Sequence, residues 1–102
     1  MPSETTYEFA QVITGLIFTE GDAVTFLQVR TLTGDETTRG FEGGPLGALN
    51  LMGAQGWRYL SERPAEKGRV MWISGALSAP GTRLEVKGFE AVEYLMTREV
   101  RE

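Results

Sequence analysis

Two apolar runs, YEFAQVITGLIFT (residues 7–19) and AVTFLQVRTL (residues 23–32), constrain the fold more than any other part of the chain. Both are dense in β-branched and aromatic residues, and Glu20-Gly21-Asp22 between them is a turn signal, so the pair predicts an antiparallel hairpin. Apolar side chains occupy both alternating sets: Phe9 and Ile13 against Ala10 and Val12, then Leu27 and Val29 against Val24, Phe26 and Leu32. A strand patterned this way needs cover on two faces. Gly15 interrupts the first run, which predicts a bulge or a bend.

Downstream, the composition shifts to TGDETTRGFEGG over residues 33–44, a polar, glycine-rich connection and the longest expected loop. Pro45 suits the first turn of a helix, and Leu46, Leu49 and Met52 or Gly53 recur at helical spacing, so a short helix is expected over 45–54. Gly47 and Gly53 each weaken it by about 1 kcal/mol relative to Ala, which leaves packing to hold it. Gly56 fits the left-handed residue that ends a helix. Gly53 is expected to let the helix lie close to the sheet, and Trp57 to plug the space beneath its end, so Gly53, Gly56 and Trp57 read as a structural corner.

WRYLSER then alternates Trp57, Tyr59 and Ser61 against Arg58, Leu60 and Glu62, the pattern of a half-buried strand stopped by Pro64. After a turn at 65–68, RVMWISGALS (69–78) and TRLEVK (82–87) flank Ala79-Pro80-Gly81, which reads as a second hairpin closed by a type II turn. FEAVEYLMTREV (89–100) suits either a helix or a strand, and a strand is favoured. The expected fold is a single α+β domain over residues 1–102: a curved antiparallel sheet of about five strands with one short helix, in the order ββαβββ. One helix shelters one face only, so the other face calls for sheet curling or self-association, and a homodimer or higher homo-oligomer is the expected partner.

Ala48-Leu49-Asn50, Gly53-Ala54-Gln55-Gly56-Trp57 and Leu60-Ser61 together resemble the core of the domain of unknown function 4177 family, in which a helix of the type LNELGAEGWELVSV leads into a strand. Tyr7-Glu8-Phe9 is similar to that family's opening strand, and Glu93 to Glu99 to its terminal one. Arg58 and Tyr59 depart from the family, which often has Glu and Leu there. The resemblance implies a small sheet covered by one helix and brings no activity with it.

Composition narrows the chemistry. The chain has no Cys and no His, so thiol nucleophiles, thiolate metal sites, disulfides and the commonest general base are all excluded. No catalytic residue, metal or cofactor is expected from it. The N-terminus lacks the basic-then-apolar pattern of a signal peptide and no apolar run approaches about 20 residues, so a cytoplasmic protein without a membrane association is expected.

Three groups of side chains invite a functional reading. Glycines 40, 43, 44 and 47 match no phosphate-loop spacing and lack a lysine, while Asp35, Glu36 and Glu42 lack the alternation of a calcium loop. Arg39, Phe41 and Glu42 in the glycine-rich connection are instead candidates for ligand or partner contact. Arg58, Arg63 and Arg69 interleave with Trp57, Tyr59 and Trp72, as residues that stack and track single-stranded nucleic acid do, and EKGRVMWISGALS is similar to a strand of oligonucleotide-binding barrels. A net charge of −4 disfavours nucleic acid. The leading expectation is a non-enzymatic binding or assembly module that self-associates through its sheet; the alternatives are a nucleic-acid binder and a cofactor-free enzyme using carboxylates or Tyr.

Overall fold

The computed structural model describes residues 6–78 and 84–100. Five antiparallel strands form one open sheet in the spatial order β3-β2-β1-β5-β4. Strands β1 (Thr6–Thr19) and β2 (Asp22–Thr31) make the expected hairpin, turned by Glu20 and Gly21. Strand β3 (Gly34–Arg39) pairs with β2, and helix α1 (Gly44–Ala54) follows. Strand β4 (Arg58–Pro64), helix α2 (Lys67–Leu77) and strand β5 (Gly88–Val100) complete the chain, with β5 seated between β1 and β4.

The order is therefore βββαβαβ, with two helices where one was expected. Of residues 69–78, read above as a strand, 69–77 lie in α2 and Ser78 caps it: Val70, Ile73, Ser74 and Leu77 are all buried, which is the i, i+3, i+4, i+7 stripe of an amphipathic helix. The expected turn at Ala79-Pro80-Gly81 lies outside the described residues, and residues 84–87 form no strand. Residues 34–39 belong to a strand rather than to a long loop. The sheet is open, with β3 and β4 at its edges, so the barrel geometry of the nucleic-acid alternative is absent.

Strand parity puts the two helices on opposite faces. Ala10 and Val12 of β1, Leu27 of β2, and Tyr94 and Met96 of β5 join Ala48, Met52 and Trp57 in one core beneath α1. Ile13 and Ile17 of β1 with Val24 and Phe26 of β2 point the other way and join Val70, Ile73 and Leu77 in a second core beneath α2. The surplus of apolar β surface is thus closed within the chain by α2, and neither sheet curling nor a second copy is needed to explain most of it. Fully burying side chains such as Ile13, Phe26 and Ile73 stabilises the fold by about 1.5–3 kcal/mol each.

The helix-to-strand corner forms as its residues dictate. Gly56 takes φ 90°, its N–H bonds Gly53 O at 3.0 Å, and the Trp57 N–H bonds Met52 O at 3.1 Å, the paired bonds of a Schellman ending. Trp57 is then turned under α1, 5% exposed. Gly53 plays no part in close packing: a methyl group there meets nothing within 4 Å. The close approach lies at Gly15, where an added Cβ would sit 2.0 Å from Glu90 O. Pairing runs through Gly15 to both neighbours without a register shift, so the expected bulge is absent and the glycine admits the backbone of β5 instead. Strand β4 carries a register shift, between Tyr59 and Ser61, and is exposed along its whole length rather than half-buried.

Candidate functional site

Neither helix covers its whole face. On the α1 face, β1 runs on past the helix through Thr14 and Leu16, beside Thr25 of β2 and Glu90 and Val92 of β5. The chain enters α1 over this uncovered corner. Gly40 N–H donates to Thr25 O at 2.7 Å and ties the entry loop to β2, while Phe41 folds in against the α1 core. Gly43, at φ 109°, is the N-cap and offers no side chain to the first turn.

Between this loop and the sheet lies a cleft of about 470 Å³. Leu16 and Val92 form its floor, Phe41 and Pro45 its roof, and Glu42 and Glu90 its charged lining. Thr14 also lines it, but the hydroxyl is committed to Phe26 O at 3.1 Å. The cleft is consequently apolar inside, with two exposed carboxylates.

The opposite face carries a polar row at the N-terminal end of α2. Gln28, fully buried, accepts from Arg69 Nη2 at 2.7 Å and donates to Thr37 Oγ1 at 3.2 Å. Across β1, Glu93 is 7% exposed and is held by the Arg63 guanidinium, which also lies 4.0 Å from Glu66. Glu93 keeps Arg63 charged, raising its already high pKa. These bonds fasten α2 to the sheet, and a buried carboxylate already matched by a cation is a structural element rather than a free acid or base.

The sequence candidates do not converge. Arg39 donates to Leu77 O at 3.4 Å and so closes the end of α2. Phe41 and Glu42 reach the cleft. Trp57 belongs to the α1 core with the Arg98 guanidinium 4.3 Å from its ring, whereas Trp72 stands half exposed on α2 with Arg69 at 5.2 Å. The two tryptophans therefore sit on opposite sides of the sheet. Arg58 is exposed on β4, and Tyr59 packs edge-on against Tyr94 with ring centroids 6.1 Å apart while its hydroxyl bonds Glu62 at 3.1 Å. Desolvation, then the hydrogen bond to Glu62, raises the Tyr59 pKa, and burial raises that of Tyr94. No continuous stacking platform results.

Asp35 and Glu36 sit on opposite faces of β3, and among the described residues no group of three or more acidic side chains could hold a metal. Sequence reasoning missed Leu16, Glu90 and Val92. The available signal was Glu90 set between the apolar Phe89 and Ala91. Comparison with known proteins finds no matching family model, no similar curated protein and no similar solved structure.

Proposed function

We propose that the protein is a binding module whose site is the cleft between the Phe41–Pro45 loop and the sheet. One observation carries this reading: an already formed, largely apolar cleft of about 470 Å³, within the size range of small-molecule sites. Its polar groups are a committed threonine, Thr25 and two carboxylates, a set suited to recognising a ligand. No helix of the described residues is long and apolar enough to cross a membrane.

The neutral fluorophore N-phenylnaphthylamine tests this. Saturable binding to the parent is expected, with loss of binding in Leu16→Trp, which fills the floor, and retention in Leu95→Ser on the other face. Equal binding by the filled variant and the parent at matched folded fraction would refute the reading.

A second reading, self-association, is favoured by a specific patch. On the α2 face, beyond the reach of that helix, Tyr7 (57% exposed), Phe9 (55%) and Leu95 (37%) lie on one side of neighbouring strands. A two-fold pairing of two copies through this side would cover the patch with itself. Sedimentation of the parent against Phe9→Ser separates the cases: a concentration-dependent dimer lost in the variant supports pairing, and a parent that stays monomeric at millimolar concentration rejects it.

A further inference from the structure

We infer that the cleft selects hydrophobic cations, that is, ligands joining an apolar aromatic or aliphatic body to an ammonium or guanidinium group. The inference rests on the reading of the cleft as a binding site and names the ligand class. Its ground is charge complementarity. Of the residues lining the cleft, Glu42 and Glu90 alone are charged, and both are acidic. Neither has an ion-pair or hydrogen-bond partner among the described residues, whereas Glu8, Glu62, Glu85 and Glu93 each engage a side chain.

Two unneutralised carboxylates beside an apolar floor leave a negative potential that low-dielectric walls focus into the cleft. The positive end of α1 lies nearby, but Pro45 removes one amide from its first turn and Gly47 N–H is spent on Gly43 O at 3.0 Å. The helix end contributes about half a unit of positive charge. Two full carboxylate charges outweigh it, so anions are disfavoured. The net charge of −4 adds attraction for cations at long range. An apolar body laid over Leu16 and Val92, under Phe41, places a cationic head toward Glu42 and Glu90.

Three probes with the same body and different charge test this by calorimetry: naphthylmethylammonium, naphthylmethanol and naphthoate. The cation is expected to bind about tenfold more tightly than the neutral alcohol, and the anion most weakly. In the Glu42→Gln, Glu90→Gln double variant the cation and the alcohol should bind within about twofold of each other. Equal affinity of cation and alcohol for the parent, or preference for the anion, overturns the inference while leaving the cleft as a site. Absence of binding by all three probes overturns both.

Discussion

The two helices cover opposite faces of one sheet by different means. Helix α1 is fixed from its own ends: Pro45 opens it, Gly56 closes it, and Trp57 and Phe41, both within a few residues of its termini, pack under it. Helix α2 is fixed from a distance, by an apolar core drawn from β1 and β2 and by polar bonds spanning 38 to 41 residues, Arg39 to Leu77 and Arg69 to Gln28. One side is assembled by local punctuation and the other by tertiary contact. The difference also leaves different surfaces: an apolar cleft with carboxylates on the α1 face, and a patch with Tyr7 and Phe9 on the α2 face.

The sharpest way to break this comparison is to remove the anchor of each side. Trp57→Ala should cost about 3–5 kcal/mol and Ile73→Ala about 2–4 kcal/mol in urea unfolding. If the two sides depend on one sheet, both variants must melt in one transition, and a separate early transition in either would show that its helix detaches alone. Next in size, Gln28→Ala strands the Arg69 guanidinium beneath α2 and should cost about 1–3 kcal/mol. A loss on that scale confined to slower-exchanging amides of α1 would contradict the role assigned to Gln28.

Gly56→Ala tests the local side more finely. It forces a Cβ into φ 90° and should cost slightly more than about 1 kcal/mol. A melting temperature equal to the parent's would remove the corner from the argument. The smallest effect is alkaline. Tyr59 and Tyr94 have raised folded pKa values, so their contribution is complete below about pH 10, the unfolded value, and is lost as pH climbs through the folded ones. Unfolding free energy should therefore fall as pH rises above about 10, less steeply in Glu62→Gln, because Glu62 reinforces both shifts.

Legibility in the sequence follows the same division. The hairpin, the helix over 45–54, the corner and the final strand were all readable, because Gly21, Pro45, Gly56 and the β-branched runs act on their immediate neighbours. Helix α2 was misread although its buried stripe of 70, 73, 74 and 77 has helical spacing. Met71 and Trp72, apolar but on the outer side of the helix, blurred that stripe into the continuous apolar run of a strand. Strand β3 was missed for the opposite reason: GDETTR has no apolar residue, and only its register with β2 makes it a strand. In the cleft, Phe41 and Glu42 could be singled out on the loop, but Leu16, Glu90 and Val92 come together only through the β1 to β5 pairing.

That pairing sets Thr6 opposite Val100, at the two extremes of the described chain. During synthesis β1 emerges early and finds β2 at once, yet its other edge has no mate until residues 88–100 have left the ribosome. Closing so large a loop costs chain entropy before the last pairing rewards it. Until it does, the apolar edge of β1 stands unpaired, with its row of backbone donors and acceptors open.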